Sequence, residues 1–181
     1  TFDLMRSLGA SVEVLDDHRV RVHAKDITTT TLDRALTQQT RASIVFAGPM
    51  LARTGTLELY PPGGDVIGRR RLDTHVLALE KLGATITFNG TFHMSADQLR
   101  GADILLDEAS VTATENTLMA AALAQGTTVI RNAASEPHVQ NLCHMLAGMG
   151  AQIEGVGTNC LTVHGVERLH GGEFRVEADY L

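Results

Sequence analysis

The chain has 181 residues, 44% of them hydrophobic, which is enough for one sizeable domain with a buried core. Its 15 Lys and Arg against 21 Asp and Glu leave a formal net charge of −6, which argues against a nucleic-acid binder or a protein held on an anionic membrane. No apolar run is long enough to span a bilayer, no signal-peptide pattern opens the chain, and two cysteines, Cys143 and Cys160, fit a reducing compartment, so the cytoplasm is the expected location.

From the start, Phe2, Met5 and Leu8 recur at helical spacing and Gly9 ends the helix. Ser11 to Leu15 and Arg19 to His23 then alternate as two strands around an Asp16-Asp17-His18 turn. Arg41 to Ala52 is an apolar helical run in which Pro49 predicts a kink, followed by Thr54-Gly55-Thr56 and a strand over Leu57 to Leu59. Asn116 to Ala124 repeats that arrangement, leading through Gly126-Thr127 to a strand over Thr128 to Ile130.

The opening helix and hairpin also recur. Met5-x-x-Leu8-Gly9-Ala10-x-Val12 matches Leu79-x-x-Leu82-Gly83-Ala84-x-Ile86 and Leu146-x-x-Met149-Gly150-Ala151-x-Ile153, with hairpin turns at Asn89-Gly90 and near Gly157-Thr158-Asn159. The implied unit is strand, helix, strand, helix, strand, strand, roughly 70 residues long, and such units complete one another's core. Whole units fall at 24–97 and 98–165. Residues 1–23 read as the last helix and hairpin of a truncated first unit, and 166–181, with a strand over Glu173 to Glu177, as a connection toward a second domain.

Chemistry concentrates in Pro61 to His75. Two prolines end a strand, Gly63, Gly64 and Gly68 loosen the backbone, Asp65 sits among them, and Arg69, Arg70 and Arg71 follow. Guanidinium groups beside a hinged loop suit a phosphorylated ligand, while a plain turn followed by a solvated charged face is the competing structural reading. Arg41 opens its helix against the dipole preference, which hints at a ligand; an Arg stem covering apolar surface is the alternative. Thr112 and Glu115 have capping-box spacing at the start of an apolar helix, where free N–H groups can also hold an anion. His138, Cys143 and His144 have no zinc-ligand spacing, so no metal is expected, nor any cofactor.

Pro62-Gly63-Gly64-Asp65 with Ile67-Gly68, Arg70, Asp73 and His75 resembles the active-site loop of the enolpyruvyl transferase family, in the branch acting on UDP-N-acetylglucosamine. Most members of that branch carry Cys where this chain has Asp65. The resemblance extends through Arg41-Ala42-Ser43 and Ser110 to Asn116. It implies an α+β fold, an inside-out α/β barrel of βαβαββ repeats in pseudo-threefold arrangement, forming one of two similar domains. It implies transfer of enolpyruvyl from phosphoenolpyruvate to a hydroxyl of UDP-N-acetylglucosamine in bacterial cell-wall synthesis. Asp65 and Arg70 become the candidate catalytic residues. Arg41, Arg71, Leu72, Asp73, Thr74, Ser110 and Val111 become the candidate substrate contacts, and Gly63, Gly64 and Gly68 the lid hinges. Some members carry Lys where this chain has Glu108, which cannot serve as a cation. A Lys-Asn pair, the hydroxyl base and a further Arg belong to parts of the family's enzymes outside this stretch, so this chain alone is expected to be inactive. Asp65 in place of Cys implies insensitivity to fosfomycin, which alkylates the thiolate. The shikimate-pathway branch of the same fold, and a non-catalytic UDP-sugar-binding or scaffold module, are the alternatives.

Overall fold

The computed structural model describes residues 1–64 and 72–178. In chain order it contains α1 (Phe2–Ser7), β1 (Ser11–Asp16), β2 (Arg19–His23), α2 (Arg34–Gln39) and a 3-10 segment (Arg41–Phe46) running into α3 (Ala47–Thr54). There follow β3 (Thr56–Leu59), α4 (Asp73–Lys81), β4 (Thr85–Phe88), β5 (Phe92–Ser95), β6 (Asp103–Leu105), α5 (Val111–Ala121) and β7 (Thr127–Arg131). The last elements are α6 (Pro137–Gly148), β8 (Gln152–Glu154) and β9 (Cys160–His164). Among the described residues no helix is long and apolar enough to cross a membrane.

The thrice-repeated Leu/Met-Gly-Ala sequence produces one helix end three times. Gly9, Gly83 and Gly150 take φ of 102°, 97° and 102°, the left-handed region where a side chain is strained. The glycine N–H bonds three residues back, to Arg6, Glu80 and Ala147, each at 2.9 Å. The following alanine N–H bonds five residues back, to Met5 and Leu79 at 3.0 Å and to Leu146 at 2.9 Å. This paired closure satisfies carbonyls that a helix end otherwise leaves open and turns the chain into a hairpin. At Gly83 an added Cβ would meet only the Gln98 carbonyl oxygen, at 3.7 Å, so its cost is conformational. Gly83→Ala is expected to destabilise the chain by about 1–2 kcal/mol in urea unfolding; an unchanged midpoint would show that the left-handed cap contributes nothing.

Among the described residues the hairpins build three sheets. β1 and β2 pair alone; β3-β5-β4 and β6-β7-β9-β8 form the other two. Thr31 makes a parallel bridge with Glu58 of β3, as β6 runs parallel to β7, so the two larger sheets share one neighbour order. In both, the hairpin's second strand is antiparallel to its neighbour: β5 to β3 and β9 to β7. β7 and β9 alternate buried residues with half-buried or exposed ones, so one sheet face packs on helices and the other lies toward water. α5 is enclosed instead: Ala113, Asn116, Thr117, Leu118, Ala120 and Ala121 are all fully buried. Helices inside and sheets outside match the expected inside-out α+β arrangement.

Two local expectations differ. The run from Arg41 to Ala52 is not one helix kinked at Pro49; its 3-10 part ends at Phe46 and α3 begins at Ala47. Pro49 therefore lies in the first turn of α3, where a missing N–H leaves no intrahelical bond unmade. The tail from Glu173 to Glu177 forms no strand. It is held from the side, with the His170 N–H on the Met149 carbonyl at 2.8 Å and the Glu177 N–H on Asn141 Oδ1 at 3.4 Å, so it follows α6 rather than a sheet edge.

Candidate active site

The stem of the glycine-rich loop lies against the start of the 3-10 segment. The Gly63 N–H donates to the Thr37 carbonyl at 3.2 Å, and a Cβ on Gly63 would fall 1.6 Å from the Gln38 carbonyl oxygen. Gly63 is thus required by close backbone approach. Gly64 (φ 94°) passes Arg41 closely enough that a Cβ would sit 3.1 Å from the Arg41 amide nitrogen. Asp65, Gly68, Arg70 and Arg71 lie outside the described residues.

Arg41 is the first residue of the 3-10 segment, whose N-cap Thr40 accepts the Ala42 N–H at 3.3 Å. Leu72 precedes α4, is half-buried against the core and accepts the Val76 N–H at 3.0 Å. Asp73 opens α4 and is exposed. Thr74 is buried, and its hydroxyl donates to Asp107 Oδ1 at 2.5 Å, tying α4 to the segment before α5.

Ser110 is the N-cap of α5, its Oγ accepting the Ala113 N–H at 3.3 Å, with Val111 the first helical residue. The Thr112–Glu115 capping box does not form: the helix starts at Val111, one residue before Thr112, because Ser110 supplies the cap. Glu115 then falls inside the helix, half-buried, and burial raises its carboxyl pKa against the opposing charge of His138. Glu108 is exposed, and its carbonyl accepts the Ser110 N–H at 2.8 Å.

A buried polar network joins these elements. Asn116 Oδ1 accepts the Gly48 N–H at 2.6 Å, and Asn116 Nδ2 donates to the Ile44 carbonyl at 2.9 Å and reaches His75 Nδ1 at 3.1 Å. His75 Nε2 lies 3.2 Å from Thr112 Oγ1. Desolvation, then the Arg41 charge, lowers the His75 pKa to about 4, so the ring is neutral at pH 7. The 3-10 segment and the N-termini of α4 and α5 are thereby brought to one end of the domain, around the loop stem. Sequence reasoning quoted His75 and Asn116 within the motifs but assigned them no role. The available signal was an Asn at the head of the apolar run to Ala124, since such a group is buried only with partners.

A groove of about 780 Å³ runs along α4, lined by Asp73, Leu77, Phe88, Phe92 and Asp107. Asp73 and Asp107 make this end acidic, opposite in character to Arg41. No group of three or more His, Cys, Asp or Glu suited to a metal occurs among the described residues. Cys143 is buried, and burial pushes its thiol up to about 11, so it is an inert packing group.

The family model described as EPSP synthase (3-phosphoshikimate 1-carboxyvinyltransferase) matches residues 1–181. UDP-N-acetylglucosamine 1-carboxyvinyltransferase of Treponema pallidum (strain Nichols) is 54% identical over 178 residues, covering 98% of this chain and 42% of that protein. The protein of the same name from Bradyrhizobium diazoefficiens is 53% identical over 179 residues, covering 99% and 42%. The chain thus spans well under half the length of these curated relatives. Among solved structures, the enolpyruvyl transferase NikO from Streptomyces tendae superposes with a TM-score of 0.76 at 22% identity, over 93% of this chain and 40% of that one. EPSP synthase from Acinetobacter baumannii does so with a TM-score of 0.68 at 22% identity, over 94% and 39%. These two likenesses concern the fold.

Proposed function

Because the chain belongs to the EPSP synthase (3-phosphoshikimate 1-carboxyvinyltransferase) family, we propose that it forms one domain of an enolpyruvyl transferase acting on UDP-N-acetylglucosamine. The enolpyruvyl group passes from phosphoenolpyruvate to the sugar 3-hydroxyl and phosphate leaves, the first committed step of peptidoglycan synthesis, serving cell shape and division in the cytoplasm. The carrying observation is that Arg41 and the N-termini of α4 and α5 converge beside the stem of the Pro61–Gly64 loop. The names of the relatives more than 50% identical support the choice of sugar acceptor. The shared neighbour order of the two larger sheets supports 24–97 and 98–165 as equivalent units, with 1–23 belonging to a third and 166–181 leading toward a second domain.

The chemistry needs a proton delivered to the methylene carbon of phosphoenolpyruvate, making it a methyl group, a base that takes the sugar hydroxyl's proton as its oxygen attacks the adjacent carbon, and loss of phosphate with removal of one methyl proton, which restores the double bond. Asp65 is assigned the proton delivery and Arg70 the phosphate clamp, because a guanidinium fork matches phosphate oxygens and stays charged. Arg41, Arg71, Asp73, Ser110 and Val111 hold the nucleotide sugar. Leu72 and Thr74 contribute backbone, and Gly63, Gly64 and Gly68 are assigned as the hinges of a closing loop.

The test is phosphate release by the full-length protein that carries this sequence. Release should require phosphoenolpyruvate together with UDP-N-acetylglucosamine. Shikimate-3-phosphate should not substitute; if it does and the UDP-sugar does not, the assignment is wrong. The 181-residue chain alone should show no turnover. Asp65→Cys in the full-length protein should turn a fosfomycin-insensitive enzyme into one inactivated over time, since a thiolate is far more nucleophilic than a carboxylate. Rapid inactivation of the unsubstituted protein would contradict that.

A further inference from the structure

We propose that His75 is a positioning residue: with Asn116 it orients the Thr112 hydroxyl so that its single proton is offered to an anionic oxygen of the bound nucleotide sugar. The inference rests on the function proposed above and adds to it a side chain, Thr112, and the device that aims it.

The chain of donors begins at backbone. The Gly48 N–H points at the Asn116 side chain at 2.6 Å, so the atom facing it is the amide oxygen. The amide nitrogen then faces the Ile44 carbonyl at 2.9 Å and His75 Nδ1 at 3.1 Å, with one hydrogen for each. Nδ1 must accept, which places the proton of the neutral ring on Nε2, 3.2 Å from Thr112 Oγ1. A hydroxyl that accepts from His75 has its own proton left to donate. No other partner of Thr112 Oγ1 is found among the described residues. Thr112 is half-buried in the first turn of α5, at the end of the domain where Arg41 acts on His75. A positive side chain and the free amides of a helix start make an anionic oxygen the preferred acceptor. Asn116 and His75 are buried, so the direction is set by packing rather than by solvent.

The test measures UDP-N-acetylglucosamine binding to the full-length protein by calorimetry, for the unsubstituted form, Thr112→Ser and Thr112→Val. Valine keeps the shape and deletes the hydroxyl; it should weaken binding about tenfold or more. Serine keeps the donor and should stay within about threefold of the unsubstituted protein. Thermal midpoints serve as the control that both variants fold. The ¹⁵N spectrum of His75 should show a neutral ring protonated on Nε2. Equal binding by the valine variant, equal loss in the serine variant, or a His75 ring protonated on Nδ1 would each overturn the proposal while leaving the functional reading intact. Failure of the unsubstituted protein to bind the UDP-sugar would overturn both.

Discussion

Replacing Asn116 by leucine is expected to remove about 3–5 kcal/mol of stability, a large share of the 5–15 kcal/mol typical of a domain. The two side chains branch alike, so no cavity is left; leucine's methyl groups are bulkier than the amide, so some overpacking adds to the lost hydrogen bonds. Asn116 is fully buried and serves three partners at once: the Gly48 N–H, the Ile44 carbonyl and His75 Nδ1. Leucine strands all three away from water, and each buried unpaired polar group costs about 1–3 kcal/mol. Relief by movement is limited, because Gly48 approaches α5 so closely that even a Cβ there would lie 2.3 Å from the Asn116 carbonyl oxygen. Urea unfolding followed by circular dichroism measures the loss. A change below about 1 kcal/mol would mean that water or rearranged backbone replaces the amide, and that the network does not hold the 3-10 segment, α4 and α5 together.

The second large effect is the response to acid. The folded-state pKa of His75 is lowered from 6.5 to about 4, mainly by desolvation and further by Arg41. Between those values the unfolded chain takes up a proton that the folded chain refuses, so stability falls as pH falls. The contribution of His75 is fully present above pH 6.5. It declines by roughly 1.4 kcal/mol per pH unit down to about pH 4, for a total on the order of 3 kcal/mol, and is flat below. Structurally, an added proton on Nδ1 would face the Asn116 amide hydrogens, donor against donor. Glu115 acts in the opposite sense, because its raised pKa lets the folded state take up a proton on acidification. The comparison that separates them is unfolding free energy from pH 7 to pH 4 for the unsubstituted chain and for His75→Gln. Glutamine still offers an acceptor and a donor but does not titrate, so its profile should lose this part of the slope. Parallel profiles would assign the acid sensitivity to other groups.

These effects also mark where sequence reasoning stopped. The helix–Gly–hairpin units were readable because each depends on contacts within a few residues. A glycine with φ near 100° and an alanine bonded five positions back need only their own helix end, so the same few letters recur and give the same geometry at Gly9, Gly83 and Gly150. Periodicity likewise placed the strands of the hairpins, where alternation along β7 and β9 records which side meets the helices.

Local signals misled where two were in competition. Thr112 with Glu115 has the spacing of a cap, yet Ser110 holds that position; both candidates are good cap residues, and the loop leading from β6 decides between them. Pro49 reads as a kink only if the helix is assumed to start at Arg41. The 3-10 start moves the proline into a first turn, where it is harmless. The strand expected over Glu173 to Glu177 had the right residue types, but this tail lies beside α6 and pairs with no strand.

By itself the amino-acid order determined the repeated units, the inside-out α+β architecture through its family resemblance, and the residues around which a site should form, because these follow from short-range spacing. Tertiary structure alone decided that Gly48, His75, Thr112 and Asn116 share one network and that Thr74 is engaged by Asp107. The physical reason is that a buried polar group is stable only against specific partners. Here those partners come from positions up to 72 residues apart, as for Asn116 and Ile44, and no periodicity records such a pairing.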